Sequence, residues 1–207
     1  ASKNWWQRLL IRRWHWFLRM QKRVASQLDH VVTVSDCARK DIAGAFDLRA
    51  EQIHLVYNGI ETDEFRPMPE VQKKPYQIMA TASADQPLKR LRYLLLAVAK
   101  LVKGYPQLQL VLVGKPKRGG YTERLIRRLK LGSHVTYVSD LSTDELVRYY
   151  AESQLAVVPS LYEGFGLPAG EAMACAVPVV STDGGALPEV VGDAGLIVPT
   201  ADADALA

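Results

Sequence analysis

Glu163 and Glu171 enclose the run Gly-Phe-Gly-Leu-Pro-Ala-Gly, which holds three glycines and one proline. Pro168 has no N–H and a fixed φ, so it suits the first turn of a helix. The N–H groups of that turn, with those of Phe165, Gly166 and Leu167, have no partner inside the helix. A helix terminus preceded by glycines can receive a phosphate. Gly164 and Gly166 remove side chains that would block a diphosphate. The two carboxylates repel such an anion, but they can accept paired hydrogen bonds from the vicinal hydroxyls of a ribose or a hexose. Two such acceptors flanking one anion site describe a receptor for a nucleotide-diphosphate sugar. Each feature alone has an ordinary explanation. Glu171 in a first helical turn can complement the helix dipole, and Gly-Pro clusters mark turns. The glycines at 164, 166 and 170 miss the G-x-G-x-x-G spacing by one residue, which does not support a dinucleotide fingerprint.

The elements that must position these residues alternate along the chain. Strands are expected at His30–Val34, Ile53–Val56, Tyr76–Ala82, Leu108–Val113, His134–Val138, Gln154–Val158, Val177–Ser181 and Gly195–Val198. Helices are expected at 5–28, 36–46, 89–103, 121–130, 143–152, 168–175 and 187–191, with Ser142 and Glu145 forming a capping box. Continuous apolar strands alternating with helices predict a doubly wound parallel sheet covered on both faces. Ligands of such sheets sit at the carboxyl ends of the strands. Three loops there are unusual: "TASADQPLKR" (81–90), "VGKPKRGG" (113–120) and the Glu163–Glu171 loop. The second has no Gly-Lys-Ser/Thr at Walker A spacing. Residues 66–75, "RPMPEVQKKP", read as a linker.

Composition bounds the rest. The chain has 207 residues, is 48% hydrophobic and carries a formal net charge of +4. Residues 1–30 hold seven Lys/Arg against one acid and all four tryptophans, so the basic character is local to this segment. Trp6, Leu10, Trp14, Phe17, Val24 and Leu28 recur at helical spacing, with Arg8, Arg12, Arg19 and Arg23 on another face. Such a helix packs on its own domain or lies on anionic lipid. Nucleic-acid binding is disfavoured, because no recognition motif accompanies it and the remaining chain is slightly acidic. Cys37 and Cys175 match no metal or disulfide spacing and read as reduced thiols of a cytosolic protein. His15, His30, His54 and His134 show no ligand spacing. Asp202 and Asp204 form D-x-D, but after "IVPTA" they read as the start of a helix. No metal site is expected.

The chain resembles the retaining glycosyltransferases of GT-B fold known as family 4 or group 1. The residues that carry the resemblance are "VVTVSDCARKDI" (31–42), "VYNGIETDEFRP" (56–67), "SADQPLKR" (83–90), "LVLVG" (110–114) and "PSLYEGFGLPAGEAMACAVPVVSTDGGALPEVVGDAGLIVP" (159–199). It implies two Rossmann-like domains: residues 1–68 match the closing part of the acceptor-side domain, and 69–207 a nearly complete donor domain. It also implies roles. Glu171 would hold the ribose hydroxyls, and Glu163 would face the donor sugar or its phosphate region. Phe165, Gly166 and Leu167 would offer backbone N–H groups, and Lys89 would neutralise the diphosphate. Val138 and Ser139 would lie by the base, and Gly114 would line the same site.

The sequence also departs from the family. Ser83 stands where the family has Gly-Arg before the diphosphate lysine, which leaves Arg90 as a partial substitute. Ala176 replaces a usual glycine, and Gly170 a usual apolar residue; small packing adjustments are expected at both. The resemblance implies a metal-independent hexosyltransferase with no cofactor, using a UDP-, GDP- or ADP-sugar. The protein would be cytoplasmic, with peripheral contact at the inner face of the membrane through residues 5–28. Without most of the acceptor domain, the 207-residue chain is expected to bind nucleotide, to self-associate or bind membranes through 1–68, and to transfer no sugar. The alternative is a nucleotide-sugar-binding module without transferase activity. A sugar-nucleotide epimerase ranks third, since epimerases of this fold lack the "EGFGLPAGEAMA" context.

Overall fold

A computed structural model of the protein describes residues 5–81 and 86–207, the side chains of 6–12, 14 and 15 excepted. It divides into two compact units, residues 1–57 and 58–207, so the division falls before the expected 68/69 boundary.

The first unit contains α1 (Trp5–Ala25), β1 (Val31–Thr33), α2 (Asp36–Phe46) and β2 (Ile53–Leu55). β1 and β2 pair in parallel, with Val31 opposite Ile53 and Thr33 opposite Leu55. Ser35 caps α2, its Oγ accepting from the Ala38 N–H at 3.0 Å, which satisfies one of the orphan donors of a helix start. Trp5, Trp16, Val24 and Leu28 of the first helix and its exit are exposed, as is Val32. No helix among the described residues is long and apolar enough to cross a membrane.

The second unit is a parallel sheet with helices on both faces. Its strands are β3 (Gln77–Thr81), β4 (Gln109–Val113), β5 (Val135–Val138), β6 (Leu155–Val158), β7 (Val179–Thr182) and β8 (Leu196–Val198). Their order is β5-β4-β3-β6-β7-β8, all parallel. The crossover helices are α3 (Leu91–Leu101), α4 (Tyr121–Arg128), α5 (Thr143–Glu152), α6 (Leu167–Ala174) and α7 (Leu187–Val191). Strand alternation sorts the core into two layers. Ile78 and Ala80 of β3, Leu110 and Leu112 of β4 and Val157 of β6 join Leu95 and Val98 of α3 and Leu125 of α4. Met79, Val111, Ala156 and Val158 point the other way, toward Tyr150, Ala169, Ala172 and Leu187. Burial on both faces is why these strands read as continuous apolar runs.

Local chemistry sets the boundaries. The capping box of α5 is present: Ser142 Oγ accepts from Glu145 N–H at 3.3 Å, and Glu145 Oε2 accepts from Ser142 N–H at 2.7 Å. The helix expected at 89–103 starts later, because Pro87–Lys89 form a 3-10 turn and Arg90 adopts φ 47°. A left-handed residue cannot continue a right-handed helix. β7 likewise starts at Val179, after Pro178, which has no N–H for a ladder; the Val177 N–H turns back to Ala172 O at 3.0 Å. The 66–75 linker is anchored, with Lys74 N–H on Glu152 O at 2.7 Å and Lys73 Nζ on Ser153 O at 2.9 Å.

Three further expectations resolve in physical terms. Gly170 leaves room for Ile60, whose Cδ1 would lie 2.8 Å from an added Cβ. Ala176 holds φ 56° after α6, a conformation that glycine adopts more easily. Asp202 and Asp204 belong to a single turn rather than an assigned helix: Asp202 Oδ1 accepts from the N–H groups of Asp204 and Ala205, and Asp204 pairs with Lys100.

Burial gives a direct test of the layered core. Leu110 is 0% exposed, whereas Leu196 is 68% exposed. Leu110→Ala should cost about 2–5 kcal/mol, and Leu196→Ala no more than about 0.5 kcal/mol. Urea unfolding of the two variants measures the contrast, and equal losses would contradict the assignment of layers.

Candidate functional site

The crossovers from β3 lead to β4 and β5 on one side, while β6, β7 and β8 extend the sheet on the other. The strand order therefore reverses between β3 and β6, and a crevice opens at their carboxyl ends. Both loops that leave these ends supply a charged group. Lys89 comes from the loop after β3, and Glu163 from the loop after β6. The Lys89 Nζ donates to Glu163 Oε1 at 2.6 Å, with the two side chains 24% and 14% exposed. The backbone ties the same loops together, the Leu161 N–H donating to Leu88 O at 2.7 Å.

Glu163 is held from several directions. Ser160 Oγ donates to the same Oε1 at 2.6 Å. Among the described residues, Oε2 has no hydrogen-bond partner. The Glu163 N–H donates to Gly184 O at 3.3 Å, and its carbonyl accepts from Ala186 N–H at 2.9 Å. This crossing requires glycines. A Cβ on Gly184 would lie 2.5 Å from Ser160 O, and one on Gly185 would enter the Glu163 backbone at φ 66°. Thr182 Oγ1 donates to Ser160 O beneath it.

α6 begins where the Gly-Pro pattern places it. Gly166 precedes it at φ 107°, and Pro168 occupies its first turn. A Cβ on Gly166 would lie 2.7 Å from Leu187 Cδ2. The Gly166 and Leu167 N–H groups have no hydrogen-bond partner among the described residues. Glu171 lies one turn further and is half-buried. Tyr150 OH donates to Glu171 Oε2 at 3.2 Å. Burial raises the Glu171 carboxyl above the usual carboxylate range, and the Tyr150 hydrogen bond opposes that rise. Burial also pushes the Cys175 thiol up to about 11, with the Glu171 charge adding to it.

Phe165 directly precedes Gly166 in the same loop, and the other sequence-predicted residues fall in three places. Gly114, Val138 and Ser139 gather at the carboxyl ends of β4 and β5, where the Gly114 N–H donates to Val138 O at 2.7 Å. Ser139 Oγ donates to Asp140, which pairs with Lys115 at 2.7 Å. Neighbouring strands lie about 4.8 Å apart, so the end of β5 is about 10 Å from that of β3. Arg90 is separated from the Lys89–Glu163 pair in its contacts. It lines a cavity of about 330 Å³ with Pro87, Leu91, Arg92 and Tyr121, and its Nε is buried with no hydrogen-bond partner among the described residues. Ser83 lies outside the described residues. Among the described residues, no three His, Cys, Asp or Glu side chains gather as a metal site would require.

Sequence reasoning missed Ser160, Tyr150 and the Gly184–Gly185 pair. Ser160 had a signal, since it stands three residues before Glu163 in the same loop. Tyr150 had none, because an aromatic on the apolar face of an amphipathic helix reads as core.

The sequence pattern of the family described as "Glycosyl transferases group 1" matches residues 75–207. The chain belongs to this family. Residues 3–64 match a second pattern, "Glycosyltransferase Family 4". Among its relatives is an MMP alpha-(1->4)-mannosyltransferase from Mycolicibacterium hassiacum. The two are 44% identical over 209 residues, covering 100% of this chain and 50% of the relative. Sucrose-phosphate synthase from Thermosynechococcus elongatus superposes with a TM-score of 0.79 at 30% identity, covering 91% of this chain and 50% of that one. Anabaena HepE, solved with UDP-glucose, gives 0.80 at 22% identity, covering 91% and 55%. The fold is thus that of the GT-B glycosyltransferases, and the chain spans about half the length of the curated relatives it matches.

The raised carboxyl of Glu171 carries a prediction. A group whose folded pKa lies above its unfolded value destabilises the fold as pH rises through that interval. Glu171→Gln removes the half-buried charge and keeps the shape. It should therefore melt at or above the wild-type temperature at pH 7. The difference should shrink as pH falls and the wild-type carboxyl takes up its proton. Calorimetric melting at several pH values measures this, and a large loss at pH 7 would contradict it.

Proposed function

We propose that this chain carries the donor site of a retaining, metal-independent glycosyltransferase, which transfers a hexosyl group from a nucleotide-diphosphate sugar to an acceptor. The observation that carries the reading is the Lys89–Glu163 pair at the β3/β6 crevice, directly before the N-terminus of α6. Family membership and a mannosyltransferase relative support the reaction class. The UDP-glucose complex of a fold neighbour supports the donor class.

In this reading the nucleotide lies along the carboxyl ends of the strands. Its base is at Val138, Ser139 and Gly114, its ribose hydroxyls are at Glu171, and its diphosphate is at Lys89 and the Gly166 and Leu167 amides. Breaking the glycosidic bond moves charge onto the departing diphosphate, and groups already aimed there stabilise that charge most. An ammonium has three donors. Lys89 gives one to Glu163 and keeps two for phosphate oxygens. Glu163 Oε2, on the opposite side of the carboxylate, is left for a sugar hydroxyl. The acceptor attacks on the face from which the diphosphate departs, and a phosphate oxygen takes its proton, so no protein nucleophile is required. The positive charge at the leaving group is assigned to Lys89 and the amides, and the reading calls for no metal.

Melting of the 207-residue chain with UDP, GDP and ADP identifies the nucleotide, since a ligand of the folded state raises its apparent stability. Glu171→Ala should weaken that nucleotide by about 1–3 kcal/mol. Lys89→Ala should weaken the nucleoside diphosphate much more than the nucleoside. Unchanged affinity for Glu171→Ala, or equal losses of both ligands for Lys89→Ala, measured by titration calorimetry, would refute the assignments.

A further inference from the structure

Tyr150 lies on α5, and it is 1% exposed. Its ring packs edge-on to Phe65, with centroids 6.5 Å apart, as any core aromatic would. Its hydroxyl is placed less commonly. It meets Thr81 Oγ1 at 3.2 Å, Pro168 O at 3.3 Å and Glu171 Oε2 at 3.2 Å. Three groups from two elements converge on this one oxygen: the last residue of β3, and from α6 the Pro168 carbonyl and the side chain of Glu171.

The proton count fixes the direction of these bonds. A carbonyl and an ionised carboxylate only accept, and a phenol has one proton. Tyr150 therefore donates toward Glu171 and Pro168 O, and the Thr81 hydroxyl donates to Tyr150. The result is a directed chain, Thr81 to Tyr150 to Glu171, within the core. Hydrogen bonds arranged head to tail polarise one another and fix orientation. The chain occupies Oε2 of Glu171. The other oxygen, Oε1, has no partner among the described residues.

We infer that Tyr150 is a positioning residue for the nucleotide: its hydroxyl locks the Glu171 carboxylate so that Oε1 is presented to the vicinal hydroxyls of the ribose. This rests on the reading that Glu171 receives the ribose. A carboxylate on an unrestrained glutamate would have to be ordered on binding, at a cost in side-chain entropy. The tyrosine imposes that order beforehand. It also couples the carboxylate to Thr81, the last residue of β3, whose loop carries Lys89. The ribose contact and the diphosphate contact are thereby built on one strand end.

The test compares wild type, Tyr150→Phe, Glu171→Gln and the double variant by titration calorimetry on the 207-residue chain. The ligands are whichever of UDP, GDP and ADP raises melting most, and its 2′,3′-dideoxy counterpart. Tyr150→Phe should weaken the ribonucleotide about five- to tenfold, the size of one hydrogen bond, and leave the dideoxy compound unchanged. The double variant should bind no more weakly than Glu171→Gln alone. Equal losses for both ligands, or additive losses in the double variant, would show that Tyr150 only supports the fold. Glu171→Gln that discriminates ribose as wild type does would overturn the ribose reading itself. Glu171→Gln that loses discrimination while Tyr150→Phe keeps it would overturn the role of Tyr150 alone. If Tyr150→Phe melts too low to titrate, Thr81→Val tests the same chain from its other end and should reduce ribose discrimination in the same direction.

Discussion

Two loops that leave neighbouring strands in opposite directions must be held at one spacing for the crevice between them to have a fixed shape. In this protein that spacing is set by the backbone bond from Leu161 to Leu88 and the ion pair from Lys89 to Glu163. The backbone bond fixes the distance between the loops. The ion pair fixes which charges face the crevice. Half-buried ions lose hydration and gain from partners. Glu163 has two such partners, Lys89 and Ser160, on one oxygen. The wider architecture serves this arrangement, since reversal of strand order between β3 and β6 is what brings residues 89 and 163 to one edge.

The two carboxylates that frame the glycine-rich turn live in different surroundings. Glu163 meets a cation, whereas Glu171 meets a neutral phenol and is raised by burial. The first suits a group beside a charged leaving group. The second leaves one oxygen without a cation among the described residues, which suits acceptance from neutral donors. Sequence spacing alone treats the pair as equivalent, and their inequality comes from which helix or loop faces each one.

Much of the fold was legible, because a sheet buried on both faces writes itself as apolar runs such as Leu110–Val113 and Ala156–Val158. The start of α6 was equally legible, since Pro168 and Gly166 are local signals with local causes. Other features are set by contacts distant in sequence. The shortened start of α3 follows from the left-handed Arg90, which arginine's ordinary preferences do not announce. Arg90, adjacent to Lys89 in sequence, lines a cavity with Pro87, Leu91 and Tyr121, whereas Lys89 pairs with Glu163. Tyr150 gains its meaning from a partner that lies 21 residues away, and only folding distinguishes it from an ordinary core residue.

The Gly184–Gly185 crossing leaves no space for any side chain against the backbone of residues 160–163. A side chain at either position would displace this backbone, so the ground beneath Glu163 tolerates little substitution. Residues 115–119, at the far end of the same strand edge, are exposed and carry no such crowding. The two ends of this edge therefore differ in tolerance: the segment that holds the carboxylate has no room for added side chains at 184 and 185, while the loop after β4 has room for change at little cost to the fold.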